Sequence, residues 1–327
     1  MSGNRTQWIN LASAKLGASA VYATDDFFAE RSRMLKDEDP VFIPGEYDDN
    51  GKWMDGWESR RRRDSGHDWC VVKLACAGRI RELELDTRHF TGNYAPAASL
   101  EACYSDEHNP GDEAEWTEIL PPSALNGNEQ RSFNIDHDQV VTHLRLHIYP
   151  DGGVARLRVY GTPEKNWQQV QADSVVDLAA SLNGGLALEC NDEHFGSMHN
   201  LLAPGRGADM GDGWETRRRR EPGYDWVIIK LGHAGKIQRV EVDTAHFKGN
   251  FPHQCFIQAA YIEDAELSSI GAQSLYWPEL LPHQYLQADF IHNFENQILE
   301  HDRVNFVRLN IVPDGGISRL RLFGCPR

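Results

Sequence analysis

The sequence predicts an all-β chain made of two tandem jelly-roll β-sandwich modules. Three observations carry that prediction. First, the chain repeats itself. "MDGWESRRRRDSGHDW", beginning at Met54, returns as "GDGWETRRRREPGYDW", beginning at Gly211. "LRLHIYPDGGVARLRVYG" (144–161) returns as "VRLNIVPDGGISRLRLFG" (307–324). An internal repeat fixes the architecture before any local reading. Second, apolar and polar residues alternate. Leu83 and Leu85 alternate with Glu82, Glu84 and Asp86, and Leu144, Leu146 and Ile148 alternate with His143, Arg145 and His147. That period of two belongs to strands with one buried face. Third, Gly, Pro, Asn and Asp punctuate the runs, as short strands with tight connections require.

The elements follow in order. "INLASAKLGASAVYATDDFF" matches "VDLAASLNGGLALECNDEHF", which extends the repeat toward both module starts. The modules are read as 1–163 and 176–327, with 164–175 a polar linker. Helix is expected to be scarce, and "DDFFAERSRMLK" is its best short candidate. "VFIPGEYDDN" is an insertion found only in the first module. "WCVVKL" and "WVIIKL" read as strands buried on both faces. Strand 69–74, the turn "ACAG" and strand 80–86 read as an antiparallel hairpin. Its open end would carry "DGWESRRRR" and "DTRHFTGN" together, echoed later by "DTAHFKGN". The two "PDGG" segments read as turns.

Composition excludes several functions. The 327 residues carry a formal net charge of −16. Such a charge repels polyanions, so two short arginine islands do not predict nucleic-acid binding. No apolar run is long enough to span a bilayer. The first twenty residues lack the apolar stretch of a secretory signal. A cytoplasmic protein without membrane or nucleic-acid partners is expected. The six cysteines show no CxxC spacing, and none falls on a cysteine of the other module. Reduced thiols are therefore expected rather than a disulfide framework or a zinc site.

Arginine clusters inside an acidic chain suit a small anion, because a guanidinium fork holds a carboxylate at short range. In an extended run Arg60 and Arg62 face one way and Arg61 and Arg63 the other, so at most two of four share a pocket. Blander readings stand beside this one: a solvated arginine strip, core tryptophans and hydrogen-bonded loop histidines. No HxxxH or comparable spacing appears, so no metal ligand and no cofactor is assigned. A divalent ion that polarises water stays an open alternative.

The blocks "KWMDGWESRRRR", "DWVIIKLG", "DTxHFxGN", "RLRVYG" and "RLRLFG", with the duplicated layout, resemble the allantoicase family over nearly the whole chain. The resemblance implies two jelly-roll modules related to galactose-binding and discoidin-like domains. It implies hydrolysis of allantoate to ureidoglycolate and urea, a step of allantoin and purine degradation. It also implies a homo-oligomer. Residue roles are then inferred from the substrate. Arg60 and Arg61, or Arg217 and Arg218, would hold the carboxylate. Asp55, Asp86 and Asn93, with Asp212, Asp243 and Asn250, would accept from ureido N–H groups. Trp57 and Trp214 would cover a flat ureido plane. Urea leaves intact, so the bond broken joins the central carbon to nitrogen. That chemistry needs an acid and a base, assigned to Glu58 and His89 and to Glu215 and His246. Ser59 becomes Thr in the repeat, which argues against a covalent role. The alternative is a non-catalytic jelly roll that binds a sugar or allantoate.

Overall fold

A computed structural model describes residues 8–327. The chain divides into two compact units, Met1–Glu164 and Lys165–Arg327. Each is a jelly-roll β-sandwich, and the expected alternation sets its strands. In Val141–Tyr149 the residues Leu144, Leu146 and Ile148 are buried. In the first core they join Trp57, Leu83, Leu85, Leu157 and Val159. The second core gathers Trp214, Ile229, Val242, Leu309 and Leu322. Each such aliphatic side chain contributes about 1.5–3 kcal/mol on burial.

The expected hairpin is not formed. Asp68–Asp86 is one strand of 19 residues. Its first part, Asp68–Lys73, pairs with Val141–Tyr149 and with Ser19–Ala23. Its last part, through Asp86, pairs with Arg156–Pro163 and with Gln130–Asn134. One strand thus serves both sheets of the sandwich. "ACAG" lacks the polar residues that reverse a chain. Its small side chains instead allow a bend where the register against Val141–Tyr149 slips, between Lys73 and Gly78.

That bend is large. The Asp68 N–H donates to the Pro150 carbonyl, and the Ala155 N–H donates to the Asp86 carbonyl. Residues 150–155 therefore bridge both ends of the strand. Straight, it would be about 60 Å long, whereas six residues reach at most about 20 Å. Both ends return to one edge of the module, so bending supplies the placement expected from a hairpin. The second unit repeats the device with Asp225–Asp243, also 19 residues. That strand pairs with Val304–Val312 and Leu186–Cys190 at one end, and with Arg319–Pro326 and Ile291–Phe294 at the other.

"DDFFAERSRMLK" yields only a 3-10 turn, Arg31–Leu35. Ala29 is held extended by a backbone bridge to Glu58, which prevents a longer helix. The one α-helix among the described residues is Ile270–Ser274, in the second unit. Nearby Ile270 and Trp277 cover Ile228 and Phe306. One turn of apolar spacing was too little to read as helix. The insertion forms a small hairpin, Tyr47–Asp48 against Gly51–Lys52. The polar segment before residue 176 lies on the second unit: Trp167 packs on its core, and Lys165 Nζ donates to Asn183. All six cysteines are free. Among the described residues no helix is long and apolar enough to cross a membrane.

Candidate active site

The two signatures meet through the "PDGG" segments. Trp57–Glu58 pairs antiparallel with Gly153–Val154. The Gly153 N–H donates to the Asn93 carbonyl, and the Ala95 N–H donates to the Gly153 carbonyl. Gly153 thus lies between the Trp-Glu and the His-Phe-Gly-Asn segments. Both glycines are required. Gly152 has φ +129°, and a Cβ there would sit 2.6 Å from the Tyr94 backbone. A Cβ on Gly153 would sit 2.1 Å from the Phe90 ring. In the second unit Trp214–Glu215 pairs with Gly316–Ile317, and the Phe247 ring covers Gly316. A plain turn reading missed this role; repetition of "PDGG" in both modules was its signal.

This stitch brings Asn93 Nδ2 to 2.8 Å from Glu58 Oε1, donating to it. In the second unit Asn250 Nδ2 donates to Glu215 Oε1. Burial pushes the Glu58 carboxyl above the ordinary glutamate range, and the Asn93 hydrogen bond only partly opposes it. His89 and His246 both have φ 71°, a conformation uncommon outside glycine and frequent at functional sites. Side-chain oxygens hold them there: Asn128 Oδ1 accepts from the His89 N–H at 3.1 Å, and Asp289 Oδ1 from the His246 N–H at 2.8 Å. The Pro40 and Gly207 carbonyls lie 2.9 and 2.8 Å from Nε2 of His89 and His246. A carbonyl only accepts, so Nε2 is the donor of each pair and Nδ1 is the ring nitrogen left to meet a ligand.

Six residues read as ligand contacts are engaged by partners within the fold. Asp55 is 4% exposed. It accepts from Lys36 Nζ at 2.7 Å, Arg156 Nη2 at 2.6 Å and the Val41 N–H at 3.1 Å. Burial alone would raise its pKa, but these partners outweigh burial and hold it below the ordinary value. Asp212 is bound to Arg319 Nη2 at 2.7 Å. Trp57 and Trp214 are fully buried, and each indole N–H donates at 2.8 Å to a carbonyl, of Asp25 and Asp192. Neither presents a ring face to a ligand. Buried Asp86 accepts from the Arg88 backbone N–H and from its Nε, both at 2.8 Å. Buried Asp243 accepts from the Ala245 N–H, with Arg206 at 3.6 Å.

The arginine runs alternate as extended chain requires. Arg60 Nε donates to Asp25 at 2.6 Å, and Arg217 Nε to Asp192 at 2.7 Å. Arg62 donates to Asp64 and Asp68, and Arg219 to Asp225. Arg61, Arg63, Arg218 and Arg220 are exposed and unpaired among the described residues. The acids at 25 and 192 escaped the sequence reading, although they align in "ATDDFF" and "CNDEHF". Arg156 and Arg319 escaped it as well.

In the second unit the two signatures open onto separate clefts. One, of about 420 Å³, is lined by Asp209, Met210, His246, Lys248, Gly249 and Asn250. The other, of about 370 Å³, is lined by the arginine run with Glu221 and Asp225. They share no lining residue. In the first unit the insertion sits against the histidine: the Phe42 ring stacks on His89 at 6.1 Å between centroids. Among the described residues no group of three or more His, Cys, Asp or Glu side chains could hold a metal ion.

Comparison with known proteins shows the family. A family model described as the allantoicase repeat matches residues 9–164 and 176–327. A probable allantoicase of Photobacterium profundum is 58% identical over 321 residues, covering 98% of this chain and 97% of the relative. A probable allantoicase of Stutzerimonas stutzeri is 56% identical over 318 residues, covering 97% and 96%. The crystal structure of allantoicase from Saccharomyces cerevisiae is similar with a TM-score of 0.82 at 35% identity, covering 97% of this chain and 93% of that one.

Proposed function

Since the chain belongs to the allantoicase family and hydrolyses allantoate to ureidoglycolate and urea, we propose that Glu58, Asn93 and His89 of the first module carry the reaction. The observation behind this reading is the Asn93 hydrogen bond to a half-buried Glu58 carboxyl whose pKa is raised. A raised pKa keeps a carboxyl protonated into the range where a general acid is useful. Glu58 gives its proton to the nitrogen of the departing urea as the bond to the central carbon breaks. A water adds to that carbon, and His89 Nδ1 takes the proton the water sheds. Asn93 fixes the direction of the Glu58 carboxyl. Arg61, three residues on and unpaired, suits the substrate carboxylate. Arg60 is already committed to Asp25. Glu215, Asn250 and His246 form the corresponding set in the second module.

The test is urea release from allantoate. Glu58→Gln is expected to lower kcat by about 10²–10⁴, the usual span of acid–base catalysis, and Glu215→Gln by less than about tenfold on the same scale. Equal losses, or a fully active Glu58→Gln, would remove the assignment. A homo-oligomer belongs to the same reading. It is supported by the exposed apolar residues Val41, Phe42, Ile43 and Tyr47 on the insertion. Light scattering that returns only the 37.0 kDa single chain would refute it.

A further inference from the structure

The arginine run is strapped down on both sides by acids that the proposed reaction leaves unused. Trp57–Glu58 lies between two neighbours: the Glu58 N–H donates to the Ala29 carbonyl, and the Ser59 N–H donates to the Gly152 carbonyl. Past Ser59, side chains take over from backbone partners. On the Ala29 side, Asp25 Oδ1 accepts from the Arg60 N–H at 2.8 Å. On the Gly152 side, Asp151 Oδ2 accepts from the Arg62 N–H at 2.8 Å. The second module repeats both straps: Asp192 accepts from the Arg217 N–H and Asp314 from the Arg219 N–H, each at 2.9 Å. Asp151 and Asp314 are the acids of the two "PDGG" segments. A carboxylate that accepts from a backbone N–H is a strong anchor. The side chains of Arg60 and Arg62 are fixed as well, by Asp25 and by Asp64 and Asp68. Arg61 sits between the two straps. Its backbone is held on either side, and its guanidinium is unpaired among the described residues.

We propose that Asp151 is a positioning residue for the reaction: with Asp25 opposite, it fixes the backbone around Arg61 and presents that guanidinium to the substrate carboxylate. The proposal rests on the assignment of Arg61 under the proposed function and adds the acid that aims it. Steady-state urea release from allantoate by the full chain tests it. Asp151→Ala removes the acceptor and should raise KM at least about fivefold, with kcat within about twofold, since a misplaced binding group costs affinity while the acid and base stay in place. Allantoate is an anion, so loss of the Asp151 charge by itself favours binding. A rise in KM therefore reports lost positioning rather than lost charge. Asp151→Asn removes the charge but keeps an oxygen for the Arg62 N–H, so its KM should match or fall below that of the unaltered chain. Arg61→Gln should raise KM too, and adding Asp151→Ala to it should raise KM no further. An Asp151→Ala KM that does not rise, a kcat that falls as far as kcat/KM, an Asp151→Asn loss equal to that of Asp151→Ala, or additive effects with Arg61→Gln would overturn the proposal. An unchanged KM in Arg61→Gln would overturn the assignment of Arg61 itself, and a KM raised there but not in Asp151→Ala would overturn the positioning role alone.

Discussion

The first module closes its arginine loop on itself, and the second leaves it open. Asp64 and Asp68 together hold Arg62, while Arg219 has only Asp225. The same contrast recurs one layer down. Arg156 is fully buried, with Nε donating to the Glu38 carbonyl and Nη2 to Asp55. Its counterpart Arg319 keeps Asp212, but its Nε is buried without a partner. Over the histidine, the first module adds Phe42 from its insertion, whereas His246 lines an open cleft. Duplication kept the strand frame and the Glu–Asn contact. What diverged is how completely each loop satisfies its own charges.

The contrast between Glu58→Gln and Glu215→Gln in urea release is the largest expected effect, and it is the measurement most able to break the comparison. Stability gives the next. Asp55→Ala strands a fully buried guanidinium and should cost about 3–5 kcal/mol in denaturant unfolding. Asp212→Ala should cost less, about 1–3 kcal/mol, because the Asp212 side chain is 16% exposed. Equal costs would mean that the two clamps do not differ as described. The smallest effect sharpens the acid assignment. Asn93 favours the charged form of Glu58, so Asn93→Ala should leave the carboxyl protonated to higher pH. The alkaline limb of kcat/KM should then move up in pH, against a lower overall rate. Asn250→Ala should leave that limb in place.

Much of this frame was legible from the repeat and the period-two alternation, although Glu82, Glu84 and Asp86, read as the wet face, are buried. The meeting of the Trp-Glu and His-Phe-Gly-Asn segments was legible too, though by a different route. A bent strand through "ACAG" and a hairpin at "ACAG" leave the same pattern in sequence, and only pairing partners distant in the chain distinguish them. The roles of Asp55, Asp86 and the tryptophans were not legible. A carboxylate beside an arginine-rich loop reads the same whether it faces a ligand or a buried guanidinium. The partner that decides the matter, Arg156 for Asp55, lies about a hundred residues away. That the two signatures of the second module open onto separate clefts depends on side-chain direction, which residue spacing does not encode.

Sharing a single strand between both layers has a mechanical consequence. Neither layer can peel away while the other stays intact, because the same backbone threads each and turns the corner at Ala75–Gly78. Each module should therefore come apart in one cooperative step, with amide protons along Asp68–Asp86 and Asp225–Asp243 exchanging last and together.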